Sequence, residues 1–196
     1  VGAAILGGGF LLALDPDGKV LWSVDAGAVE ASPSVGVSDA GVETVFASGT
    51  AAEGAVLLAV RGGVVVERCS GPSGSASKAS LAVAETTYSG ESPMSAAGVF
   101  NHSTGNQLVA IRPDATLSGD RCIYGSTGAG ADSPSTVVTS QESFFFGDEL
   151  GAVQGHTFSG GSWSSRSGWP VNANLFTRGL AVVGTNIVGG GGPGQG

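Results

Sequence analysis

Apolar runs of four to seven residues follow one another along the chain, each closed by glycine, serine or aspartate, and none repeats at helical spacing. The pattern predicts many short strands joined by tight turns and no helix-rich segment. One element returns at intervals. It is an apolar or aromatic stretch running into glycine, at residues 4–7, 45–49, 87–90, 144–147 and 186–189, with the glycines 42, 41, 57 and 42 residues apart. A period of that length marks a repeat architecture, in which a unit too small to bury its own faces stacks on its neighbours. The one long interval contains residues 91–106, rich in serine, glycine and asparagine, which read as a single loop insertion.

Each glycine reads as a hairpin turn into a second strand, at residues 10–14, 55–60, 107–111 and 152–155. A third strand follows at 20–24, after Asp15-Pro16-Asp17-Gly18, and at 64–67, after Gly62-Gly63; the third unit keeps it loosely within 116–124. Proline early in the turn and glycine where positive φ is required give the first of these turns its physical reason. A further strand then opens the next unit, at 32–35, 78–81, 133–136 and 178–181. The prediction is an all-β fold, a β-propeller of four-stranded antiparallel blades in about four repeat units. It occupies one repetitive domain over residues 1–196, with units near 1–31, 32–77, 78–132 and 133–177 and a partial unit at 178–196. The same strand occurs near both ends of the sequence, so the expectation is an open arc of a larger propeller, with the remaining blades of a longer chain as a candidate partner. The first residue is Val rather than Met, which points to processing or truncation.

Composition narrows the partners more than it names them. Thirty-five glycines and eight prolines in 196 residues suit short strands and tight turns. With eight basic against sixteen acidic residues and a net charge of −8, the chain would repel a polyanion, so nucleic acid is not an expected partner. No apolar run is long enough for a membrane-spanning helix. Cys69 and Cys122 lie 53 residues apart and fit no zinc-ligand spacing. Each ends the third strand of its unit. In an oxidising compartment they could bridge neighbouring units; otherwise they are separate buried thiols or pair elsewhere.

Residues 13–22, Ala-Leu-Asp-Pro-Asp-Gly-Lys-Val-Leu-Trp, resemble the tryptophan-docking repeat of quinoprotein-like (PQQ-like) β-propellers, as do the Ser-Pro-Ser-Val and Phe-Ala-Ser-Gly stretches that follow. The resemblance implies structural roles. Asp15 caps the turn, Gly18 lets it close, and Trp22 wedges between adjacent blades. The turn is one residue shorter than the usual form. Arg61 and Arg112 stand where Asp15 stands, the second and third units lack the tryptophan, and Trp163 takes a comparable place in the fourth. The resemblance further implies a non-catalytic scaffold with a protein- or ligand-binding surface, without a cofactor, in a periplasmic, outer-membrane-associated or secreted setting. One alternative it brings is a fragment of a quinoprotein dehydrogenase using pyrroloquinoline quinone and calcium, although the chain has no adjacent cysteines. A carbohydrate-binding propeller, stacking sugars on Trp163 and Trp169, is another.

Candidate chemistry is sparse. Asp15 and Asp17 would supply only two of the six or more oxygens that calcium needs, and read as a capped turn. Asp148 and Glu149 read as a solvated hairpin loop. His102 and His156 are the only histidines, and no Gly-x-Ser-x-Gly elbow surrounds any serine, so neither has a nucleophile assigned to it. Asn101-His102-Ser103 fits a glycosylation acceptor formally. The runs Gly7-Gly8-Gly9 and 189–192 precede no helix and read as turns rather than phosphate cradles. No catalytic or metal-ligating residue is expected.

Overall fold

The computed structural model describes residues 2–6, 9–77, 80–85, 94–116, 119, 121–127, 136–139, 143–147, 152–159, 162–172, 175–183 and 186–193. The expected features at Gly7, Gly8, Lys78, Ala79, Thr87, Tyr88, Ser89, Gly90, Ser133, Pro134, Ser135, Asp148, Glu149 and Thr185 lie outside these residues. The protein is all-β and antiparallel. Its first sheet runs β1 (Gly2–Leu6), β2 (Phe10–Leu14) and β3 (Val20–Asp25). The second is β4 (Ser34–Val37), β5 (Glu43–Ala51), β6 (Gly54–Arg61) and β7 (Val64–Ser70). The third is β8 (Ala82–Glu85), β9 (Met94–Phe100), β10 (Gln107–Ile111) and β11 (Cys122–Ser126). The fourth is β12 (Thr136–Thr139), β13 (Ser143–Gly147), β14 (Ala152–Ser159) and β15 (Ser162–Ser165), with β16 (Val171–Asn172) also on β14. The last pairs β17 (Leu175–Val183) with β18 (Asn186–Pro193).

The register repeats from sheet to sheet. Ala13 pairs with Trp22 ahead of a one-residue bulge in the first sheet, and Ala59 pairs with Glu67 ahead of the same bulge in the second. Alternation along each strand sends one set of side chains forward and the other back. On β6, Leu58 and Val60 join Leu11 and Ala26 of the first unit, while Leu57 and Ala59 join Leu81, Ala96, Val109 and Ile111 of the third sheet. Ala97, Ile123, Phe144 and Phe158 fill the next interface. The core is thus a series of layers between sheets, and β4, β8, β12 and β17 lie side by side along one edge of the stack.

Three expectations require correction. Residues 91–106 are not one loop, because β9 occupies 94–100 and is paired to β10 and β8. All seven residues of β9 are buried. A Cβ on Gly98 would approach Leu81 Cδ2 to 2.6 Å, so the strand is small-residue-rich because sheets press on it from both sides. Gly49 is not the hairpin turn either. It lies inside β5, where a side chain would collide with the Ala26 carbonyl, and Ala28 and Thr50 exchange hydrogen bonds at 2.8 Å beside it. The glycines at 189–192 are strand rather than turn, paired along β17 by backbone bonds that need no side chain.

Candidate functional site

The turn at Asp15 is built as a closed hydrogen-bonded loop. Asp15 Oδ1 accepts from the Asp17 and Lys19 amides at 3.0 and 2.8 Å. The Asp15 carbonyl accepts from Gly18 N at 3.0 Å, and its amide donates to the Lys19 carbonyl at 2.9 Å. Gly18 sits at φ +82°, which a side chain would strain. Oδ1, the main-chain carbonyl and the amide of Asp15 therefore all serve the turn backbone. The turn delivers β3 in the register that places Trp22 against the second unit, packed with Leu11, Ala47, Leu58 and Val60. A Cβ on Gly63 would lie 2.7 Å from Trp22 Cβ, so the β6–β7 turn is seated directly on the tryptophan.

The seam between the second and third sheets is covalent. Cys69 on β7 and Cys122 on β11 form a disulfide with Cα atoms 5.5 Å apart. Polar contacts flank it on both sides. The Tyr124 hydroxyl donates to the Ser70 carbonyl at 3.0 Å, and Arg121 reaches Glu67 at 3.4 Å. Desolvation raises the Tyr124 pKa above its ordinary value, with Glu67 adding to the rise and the Ser70 bond opposing it. At the far end of the seam, Arg61 donates through Nε to Thr44 Oγ1 at 2.7 Å and pairs with Asp114 at 2.7 Å.

The third and fourth sheets meet through aromatics. Trp163 Nε1 donates to the Ile123 carbonyl at 3.2 Å, and its ring lies 5.1 Å from Phe144 and 5.2 Å from Phe158. A Cβ on Gly125 would be 2.6 Å from the Trp163 side chain, so the glycine admits the indole. Trp163 and Trp22 are not counterparts in direction. Trp22 points forward into the next sheet and Trp163 points back into the preceding one. Trp169, bonded to Pro170 through a cis peptide, packs on Phe145 and Gly155 on the opposite face of the fourth sheet from Trp163. The Arg112 guanidinium is buried and stands 5.8 Å from the Phe158 ring centroid.

The two histidines occupy different settings. His102 lies in the loop after β9, its Nδ1 2.7 Å from Thr104 Oγ1 and its Nε2 3.1 Å from the Ser73 carbonyl. It bridges two loops. His156 is buried on β14 and stacked on Phe146, and desolvation lowers its pKa below the ordinary 6.5. Asn101 of the acceptor triplet is tied to Ala76 by two backbone bonds, with its side-chain oxygen buried. Among the described residues, no three His, Cys, Asp or Glu side chains cluster as a metal site.

Exposed apolar groups are spread over several strands, among them Phe10 on β2 and Val35 and Val37 on β4, and one set lies on the outer strands β3 and β7. Val20 and Leu21 on β3 and Val64 and Val65 on β7 are 40 to 63% exposed, beside the contact between Trp22 and Gly63. Sequence reasoning did not single out these valines, nor Tyr124, Arg121 or Asp114. The bulge that turns Val20 and Val65 outward is a property of register, and its sequence trace is only the repeated spacing from the turn glycine. No family model matches the chain, and no curated protein matches it either.

Proposed function

We propose that this chain is an arc of a β-propeller built from quinoprotein-like repeats and that it serves as a non-catalytic scaffold with a protein-binding surface. The observation that carries the reading is the seam construction. Trp22, Arg61 and Arg112 all stand at or beside the turn after the second strand of a unit, and all three reach forward into the next unit. Among the described residues, Trp22, Arg61, Arg112, Arg121, Tyr124 and Trp163 all make contacts between sheets. A surface open to a partner is the edge of β3 and β7, where exposed Val20, Leu21, Val64 and Val65 lie on strands at the end of their sheets, a combination that suits an extended peptide segment. The cross-sheet disulfide supports an oxidising, extracytoplasmic setting for this scaffold.

A photo-crosslinking residue at Val64 tests the reading in the native host envelope. The expected result is one adduct of defined mass that disappears when Leu21 is replaced by Lys. No adduct at Val64, or turnover of a dye in the presence of pyrroloquinoline quinone and calcium, would replace the scaffold with another function.

A further inference from the structure

The seams between neighbouring sheets are closed at their outer strands by different chemistry. Between the first and second sheets the outer seam is filled by Trp22 with Val24, and between the third and fourth by Trp163, which Gly125 admits. Between the second and third it holds no tryptophan. At the register position that Trp22 takes opposite Ala13, β7 carries Glu67 opposite Ala59, and Cys69 lies opposite Leu57 as Gly125 lies opposite Leu108. Leu57, Ala59, Leu81, Ala96, Val109 and Ile111 pack the inner part of this seam, so it is apolar inside and polar at its rim.

Among the described residues, that rim is closed by two polar contacts and the disulfide. The Tyr124 hydroxyl meets the Ser70 carbonyl with Tyr124 40% exposed, and Arg121 meets Glu67 with side chains 39% and 19% exposed. Contacts of that kind hold weakly because water competes for both partners. The Cys69–Cys122 bond joins β7 to β11 covalently, and a thiol can undo it. Its two sulfurs are not equally open. Cys69 is fully buried, whereas Cys122 is half-buried, on the same face of β11 as the exposed Tyr124. Exchange begins when a thiolate approaches one sulfur of the bond, so access selects the sulfur attacked.

We infer that the Cys69–Cys122 bond is a reducible latch on the seam between the second and third sheets, opened by a dithiol that attacks Cys122. One thiolate of the dithiol bonds to Cys122 Sγ; the S–S bond breaks, and its electron pair leaves on Cys69 Sγ, which takes a proton from water. The second thiol, deprotonated in turn, displaces Cys122 from the mixed disulfide, and Cys122 takes up a proton. The products are two protein thiols and the oxidised dithiol, whose electron pair has passed to the protein. Reduction leaves the apolar inner seam in place and the rim closed by Tyr124 and Arg121 alone. β7 and β11, each at the end of its sheet, are then free to fray while the sheets stay stacked. The latch is separate from the peptide surface at Val20, Leu21, Val64 and Val65, and its failure leaves the scaffold reading standing.

A thioredoxin-type protein with serine at its second cysteine is the probe for the first step. Mixed with the full oxidised chain, quenched in acid and mapped by mass spectrometry, it is expected on Cys122 in at least about ten times the amount found on Cys69. Hydrogen exchange reads the second step. Reduction by dithiothreitol should speed exchange of the protected amides of β7 and β11 by at least about tenfold and leave β2 and β13 unchanged, with the far-ultraviolet spectrum retained. Tyr124→Phe, which lacks the Ser70 bond, should speed that exchange further in the reduced chain and leave the oxidised chain as it was. Equal adducts on the two cysteines, a bond that resists the probe in the folded chain, exchange that rises alike in all sheets on reduction, or a Tyr124→Phe effect that is the same in both states would overturn the inference.

Discussion

Removing the disulfide should cost the protein a large part of its stability, and the size of the loss follows from where the bond lies. Cys69 and Cys122 close a ring of 53 residues containing most of the third sheet. Chain-entropy reasoning for a ring of that size gives about 4 kcal/mol of stabilisation, acting on the unfolded chain. The fold around the bond survives its loss in shape, because Tyr124 still bonds Ser70 and Phe46, Leu57, Ala96 and Ile111 still fill the seam. Cys69→Ala with Cys122→Ala avoids leaving a thiol or a hydroxyl in the buried position. Urea unfolding of the oxidised wild type, the reduced wild type and the double variant should show the last two coinciding, both with a lower midpoint. For a chain of this length about 4 kcal/mol corresponds to a melting point lower by roughly 8 to 16 °C. A double variant as stable as the oxidised protein would refute the reasoning. So would a midpoint that falls on reduction even when both cysteines are absent.

Other consequences are checked by the same measurements. Gly63→Val should destabilise by at least about 2 kcal/mol, since φ is +84° and the new side chain would drive into Trp22, whereas Gly41→Val, also at positive φ but in open space, should cost less. Asp15→Ala should cost about 1 kcal/mol in thermal unfolding, because the Asp17 and Lys19 amides lose a shared acceptor at an exposed turn. Burial lowers the His156 pKa below 6.5, so the folded form resists protonation more than the unfolded chain does. Above about pH 6.5 it adds no pH dependence, and as pH falls below that value the unfolded chain gains a proton that the fold resists, so stability declines until the lowered pKa is passed. His156→Leu should flatten that part of the profile, and an unchanged slope would remove His156 as its source.

How much of the fold was legible in the sequence depended on whether a strand faces one sheet or two. β3 and β7 have an outward side, and the turns before them, with Gly18 and with Gly62 and Gly63, announce them. β9 has no outward side. With sheets pressed on both faces it loses the apolar–polar alternation, and close approach selects Ser95, Ala96, Ala97 and Gly98, which in isolation read as loop. Gly49 misled for the same reason, because a glycine required by the passing Ala26 backbone looks in sequence like a glycine required by a turn. The spacing of the cysteines placed them on equivalent strands without fixing their distance, which depends on the sheets stacking face to face at their outer strands.

The arginines at 61 and 112 carry the strongest argument about how this repeat works. Set against Asp15, they look in sequence like losses of the capping carboxylate, and so like decay of the motif. Their contacts say otherwise. Asp15 folds back on its own turn and leaves the forward contact to Trp22, seven residues on. Arg61 and Arg112 make the forward contact themselves, one to Asp114 in the third unit and one over Phe158 in the fourth. The unit with the aspartate makes its forward contact through the tryptophan and the units with the arginine make it without one, and opposite the counterparts of the alanine that faces Trp22 in the first unit the outer strands carry Glu67 in the second and Ile123 in the third. The two substitutions are coupled by geometry. Arg112→Asp should separate the third and fourth sheets by burying a carboxylate against aromatic rings, which urea unfolding would read as a lower midpoint.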